Sequence, residues 1–74
     1  MKTTEFKKQI RQINKALAKA DGIFNSMPAG MQDLMWDYHS NECSLNHCLR
    51  WGLQASDEIL LNAKDIVEEY NDNY

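Results

Sequence analysis

The chain has 74 residues, a mass of 8.6 kDa and a formal net charge of −3, which allows one domain of nearly minimal size. With three glycines, one proline and a hydrophobic fraction of 43%, the composition favours an all-α domain that spans residues 1–74. The longest apolar runs are only a few residues, so we expect neither a signal peptide nor a membrane span, and a cytoplasmic protein.

Charge is distributed unevenly along the chain. Residues 1–20 carry six basic side chains and one acid, a net charge of +5, whereas residues 21–74 carry two basic side chains and ten acids, a net charge of −8. A small domain with this asymmetry should present one basic and one acidic surface.

The first predicted helix covers residues 3–21. Phe6, Ile10, Ile13, Leu17 and Ala20 recur at spacings of three and four, which is typical of the buried stripe of an amphipathic helix. The sequence Asp21-Gly22 then predicts a left-handed residue that ends the helix.

Two further helices follow, near residues 28–39 and 44–70. Within the longer one, Gly52 and Ser56 allow two interpretations. Small residues four apart can let another helix approach closely, or Ser56 can start a new helix after a break. We expect one long helix, with any kink near residues 52–56, and a frayed tail at residues 71–74.

These elements predict a three-helix bundle with a long C-terminal helix. Helices one and three should pack antiparallel, with the second helix covering one end.

Residues 39–48, HSNECSLNHC, hold both histidines and both cysteines. His39, Cys43 and His47 are candidate zinc ligands, because thiolate and imidazole suit zinc and the last two are four apart. On a continuous helix, however, Cys48 points about 100° away from His47, and no second ligand pair occurs. The same geometry disfavours a disulfide between the two cysteines. We therefore expect a helix junction without a bound metal or cofactor.

Catalysis is not expected from this sequence. A nucleophilic pair of Cys43 and His47 would need an orienting group and a cleft, and a small helical domain offers little concave volume. The acids of the C-terminal segment resemble an exposed helix face rather than a catalytic pair.

Exposed apolar side chains predict protein docking. Trp36, Trp51 and Leu61 lie off the main apolar stripes, and aromatic residues are enriched at protein interfaces. An acidic face would steer the partner. Its residues are Asp57, Glu58, Asp65, Glu68 and Glu69.

We therefore expect an interaction module that docks on a protein partner, with a homodimer as one form. A more specific form is an inhibitor of a nucleic-acid-processing enzyme, of the anti-defence type that a phage or mobile element encodes. The alternative is a small nucleic-acid-binding or regulatory protein. Its phosphate contacts would come from the basic face formed by Lys8, Arg11, Lys15 and Lys19.

Overall fold

The structure, a computed structural model, describes residues 1–38 and 43–74. They form four α-helices: α1 (Thr3–Asn25), α2 (Ala29–Asp37), α3 (Leu45–Leu61) and α4 (Ala63–Asn73). These residues include no strand, and the all-α prediction is confirmed. The predicted count of three helices is wrong, because the long C-terminal helix is divided in two.

Helix α1 continues past its predicted end. Gly22 does not adopt a positive φ, and the helix runs four residues beyond Asp21 to Asn25. The added turn carries Phe24 into the core, where the ring is only 6% exposed. Burial of an aromatic side chain outweighs the modest cost of a glycine inside a helix.

The division of the C-terminal helix falls at Asn62, not at the predicted residues 52–56. Asn62 has φ −104° and ψ 12°, and its side-chain Nδ2 donates to the Glu58 carbonyl at 2.9 Å. An asparagine amide that bonds to the preceding turn competes with the regular helical pattern, which explains the break there.

Helices α1 and α3 pack antiparallel along a seam. Asn14 Nδ2 donates to Ser56 Oγ at 2.6 Å, and a Cβ on Gly52 would lie 3.2 Å from a methyl of Leu17. As α1 advances from residue 14 to 17, its partner in α3 recedes from 56 to 52. The first interpretation of the two small residues is therefore the correct one. We call this line of contact the α1–α3 seam, defined by Asn14, Leu17, Gly52 and Ser56.

The C-terminal end packs against the start of α1. Ala63 and Val67 of α4 are buried, and Met1 exchanges two hydrogen bonds with Asn71, each of 3.1 Å. Helix α4 extends to Asn73, so it includes most of residues 71–74, which we expect to fray.

Helix α2 covers the opposite end of the α1–α3 pair. Gln32 Nε2 donates to the carbonyls of Phe24 at 3.2 Å and Met27 at 2.9 Å, which ties α2 to the end of α1. Its predicted end at residue 39 lies outside the described residues.

The molecule is long and thin. It measures 49 × 22 × 14 Å with a radius of gyration of 15.9 Å, whereas a compact chain of this length has a radius of gyration of about 11 Å. Its accessible surface is 5942 Å², against about 4,700 Å² for a compact protein of this mass. Most of the chain is therefore a single layer of paired helices, with much of its apolar surface uncovered.

Candidate protein interface

One flank of α1 carries apolar side chains that stay largely exposed among the described residues. Ile13 is 51% exposed and Ile23 is 54% exposed, and Ala16 between them is exposed as well. They recur at spacings of three and seven, so they follow one side of the helix, next to the stripe that packs on α3.

A matching flank runs along α3. Trp51 is 62% exposed, Ala55 is exposed and Ile59 is half-buried, again at spacings of four. The Trp51 ring stacks on His47, with ring centroids 5.9 Å apart. This contact holds the indole against α3 and leaves its outer face open.

Both apolar flanks lie on the same side of the α1–α3 seam. On the other side, Asn14 Nδ2 donates to Asp57 Oδ1 at 3.0 Å, so the polar flanks of the two helices meet there. Because the helices are antiparallel, the opposite flanks also meet, and these are the apolar ones. We call this surface the open face. Its residues are Ile13, Ala16, Ile23, Trp51, Ala55 and Ile59.

The three side chains predicted to form an apolar patch are all exposed, but they lie apart. Trp36 of α2 is 46% exposed at the covered end, and Trp51 belongs to the open face. Leu61, 86% exposed, lies about 15 Å along α3 from Trp51 and about 80° around it. The open face therefore joins Trp51 to Ile13 and Ile23 rather than to Leu61.

The predicted charged residues are on the surface. The four basic residues of the alternative function are exposed along α1, away from the seam. The five predicted acids are also exposed, and Asp57 is held by Asn14. Asp57 therefore lies on the polar side of the seam, opposite the apolar flanks.

The cysteines are closer together than helical spacing predicted. Cys43 precedes α3, whose N-cap is Ser44, and Cys48 Sγ donates to Cys43 Sγ at 2.9 Å. Helical geometry does not apply to Cys43, because the residue lies outside the helix. The argument from a continuous helix against a cysteine pair is therefore wrong, although both thiols are free.

This pairing changes the properties of the Cys43 thiol. The hydrogen bond with Cys48 raises the pKa of the half-buried Cys43 thiol above its ordinary value of 9.0, and desolvation adds to the shift.

The candidate zinc ligands are not assembled in the described residues. His39 lies outside them, and the His47 ring stacks on Trp51. Within residues 1–38 and 43–74, no three metal-binding side chains come together.

A cavity of about 390 Å³ lies between α2 and the start of α3. Most of its lining is apolar, and the paired thiols form part of one wall. Its lining residues are Phe24, Gln32, Met35, Trp36, Tyr38, Cys43, Ser44, Leu45 and Cys48.

Comparison of this chain with protein-family models, curated proteins and solved structures finds no match. None of the helices described has both the length and the apolar character needed to cross a membrane. Its function must be argued from its own residues.

Sequence reasoning missed half of the open face. It placed Ile13 in the core stripe and paired Trp51 with Trp36 and Leu61. The signal that was present is the second apolar row of α1, formed by Ile13, Ala16, Ala20 and Ile23 beside the buried one. Two adjacent apolar rows give a helix two surfaces for packing, and in the described residues Ile13, Ala16 and Ile23 of the second row stay exposed.

Proposed function

We propose that this chain is a protein-interaction module that acts by docking its open face on a protein partner and catalyses no reaction itself. The supporting observation is the exposure of Ile13, Ile23 and Trp51, each more than half exposed on one continuous side. Contiguous apolar patches of this kind mark sites of association in soluble proteins.

Affinity and selectivity would come from different residues. Trp51 is the natural anchor, because a large aromatic ring that is desolvated on binding contributes more than its neighbours. The acids on α3 and α4 would steer a partner with a basic surface. A basic groove that binds nucleic acid is one such surface. An inhibitor of a nucleic-acid-processing enzyme, of the type a phage or mobile element encodes, is therefore the specific form of this proposal.

We place this activity in the cytoplasm. A reducing compartment would keep Cys43 and Cys48 as thiols, in agreement with their free state in the structure.

The test is affinity capture from the native host lysate, with and without nuclease. The tagged wild type is compared with Trp51→Ser and with the matched control Leu61→Ser, which removes an exposed apolar side chain outside the open face. We expect a stoichiometric protein that survives nuclease, is lost with Trp51→Ser and is retained with Leu61→Ser. Circular dichroism should show equal helicity for all three chains.

Equal capture by wild type and Trp51→Ser would contradict docking through the open face. Nucleic acid retained alone would instead favour the second candidate, because Lys8, Arg11, Lys15 and Lys19 are all exposed on α1. Binding through phosphates falls steeply with salt, whereas an apolar interface is much less sensitive. Replacing the four basic residues by Ala should abolish nucleic-acid binding only.

A further inference from the structure

We propose that the occupant of the open face is the open face of a second copy of this chain, so that two helix pairs close into an antiparallel four-helix bundle. The inference rests on the proposed function, because it names the partner of the same surface. Helix layers are stable when a second layer covers their apolar side, and one chain supplies one layer about 14 Å thick.

The uncovered area is sufficient for such a dimer. Each chain exposes 5942 Å², which exceeds the surface of a compact protein of its mass by about 1,200 Å². A stable interface buries about 800 Å² on each partner. Pairing the two open faces would thus remove much of the excess and give each chain the compactness that it lacks alone.

Charge selects between the two symmetric ways of stacking the layers. Helix α1 carries five basic and two acidic side chains, and α4 carries one basic and four acidic side chains. A two-fold axis perpendicular to the helices would place α1 on α1, basic against basic. An axis parallel to the helices places α1 across α3 and α4 of the partner. The second arrangement brings opposite charges together and is the one we propose.

That arrangement also fixes which charges meet. A two-fold axis parallel to the helices leaves the position of every residue along the helix direction unchanged. The antiparallel register of the α1–α3 seam therefore applies between the two copies as well. Residue 14 lies level with residue 56, which places Lys8 between Glu58 and Asp65 of the partner subunit. Lys15 lies about 160° around α1 from Ile13, so its side chain points away from the open face and takes no part in this contact.

The first experiment is sedimentation equilibrium on the purified chain without any other protein. We expect a mass of about 17 kDa, twice the 8.6 kDa of the chain, at concentrations above about 10 µM. Ile13→Ser combined with Trp51→Ser should leave a helical monomer, whereas Leu61→Ser should dimerise like the wild type.

The second experiment exchanges the charges. Lys8→Glu makes an acidic variant, and Glu58→Lys with Asp65→Lys makes a basic one. All three positions are exposed, so both variants should fold. Each alone should dimerise about tenfold or more weakly than the wild type. An equimolar mixture should recover dimerisation, because both α1–α3 contacts of the mixed dimer pair opposite charges.

A wild type that stays at 8.6 kDa up to about 100 µM would overturn the dimer. It would leave the docking proposal standing if lysate capture still depended on Trp51, so the two proposals fail separately. A dimer whose charge variants do not recover on mixing would overturn the parallel two-fold axis and the placement of α1 against α3 and α4.

Discussion

The α1–α3 seam and the end covered by α2 differ in how completely their buried polar groups are hydrogen-bonded. At the seam, buried Ser56 accepts from Asn14 and donates its hydroxyl to the Leu53 carbonyl at 2.8 Å. Towards the covered end, Asp21 Oδ1 near the end of α1 and Asn46 Oδ1 in the first turn of α3 are buried without a hydrogen-bond partner among the described residues. The seam also packs tightly enough for Leu17 to touch the position of a Gly52 Cβ, whereas the covered end contains a cavity of about 390 Å³ that is open to solvent.

The difference shows where this small domain concentrates its stability. At the seam, small residues let α1 and α3 approach closely, and the polar side chains of Asn14 and Ser56 are hydrogen-bonded. Helix α2 is held by the hydrogen bonds of Gln32 and by contact with Phe24. The seam should therefore tolerate substitution less well than the covered end, apart from Phe24, which is buried where α1 meets α2.

The largest effect should come from Phe24→Ala. Its ring is buried where α1 meets α2, so removing it should lower the free energy of unfolding by about 3–4 kcal/mol, a large part of the total for 74 residues. Urea denaturation followed by circular dichroism at one fixed protein concentration measures this change. Trp36→Ala, at a half-exposed position of the same end, should cost less; an equal or larger cost would contradict the assignment of Phe24 as the joint of the two regions.

A matched pair of glycine variants tests the close approach at the seam. Gly52→Leu should be destabilised by about 2 kcal/mol, because the new side chain would overlap Leu17. Gly22→Leu should be stabilised by about 0.5–1 kcal/mol, because its position is open, its φ is negative and leucine favours helices. Thermal unfolding of both variants checks the signs. A Gly52→Leu variant that is no less stable than the wild type would show that the seam is not tightly packed.

Oxidation should strengthen the covered end. The sulfur atoms of Cys43 and Cys48 are 2.9 Å apart. Oxidised glutathione should therefore convert the two cysteine thiols to one disulfide, and the two protons that they release should end on the two glutathione thiols that form. This bond should raise the free energy of unfolding by about 1–2 kcal/mol. Mass spectrometry of the monomeric chain detects the product, and Cys48→Ser, which leaves one thiol, should stop at the mixed disulfide with glutathione.

The rate of this oxidation should depend on pH. The thiolate is the attacking species, and the raised pKa of Cys43 keeps that thiol protonated at neutral pH. The reaction should therefore accelerate as pH rises towards and above 9.0, the ordinary thiol value. A rate independent of pH between neutral and alkaline solution would show that another step, such as opening of the junction, limits the reaction.

The smallest effect should come from the polar bond at the seam. Asn14→Ala removes the donor to Ser56 and Asp57 and should cost about 1 kcal/mol. Asp57→Ala removes only the exposed partner and should cost about 0.5 kcal/mol or less. Chemical denaturation of the two variants separates the buried bond from the exposed one. Equal costs would show that the bond to Ser56 contributes nothing beyond the surface contact.

The helical class and the antiparallel pairing could be predicted from the sequence, because apolar residues at spacings of three and four imply helices that pack along one stripe. The break at Asn62 could not. Asparagine is tolerated inside helices, and only the hydrogen bond from its side chain to Glu58 reveals that the chain departs from regular geometry there. The continuation of α1 through Gly22 was missed for a related reason, because the burial of Phe24 is a tertiary effect.

The candidate interface was predictable only in part. Trp51 stood out as an aromatic residue off the main stripe, but Ile13 looked like a core residue. Periodicity says that a side chain lies on an apolar flank, and it does not say whether another helix covers that flank. Likewise, the distance between the Cys43 and Cys48 thiols depends on whether Cys43 lies inside α3. A spacing of five residues does not show this.

By itself, the sequence determined the helical periods, the opposite charges of the two ends and the small residues that let α1 approach α3, because these depend on local chemistry. The tertiary structure decided which of two apolar rows on α1 is covered, where the long helix divides and which thiols meet. The first outcome depends on residues far apart in the chain, where the balance between burial and local preference is settled only when they pack. The other two depend on hydrogen bonds between near neighbours, from Asn62 to Glu58 and from Cys48 to Cys43, and the spacing of residues does not show whether such bonds form.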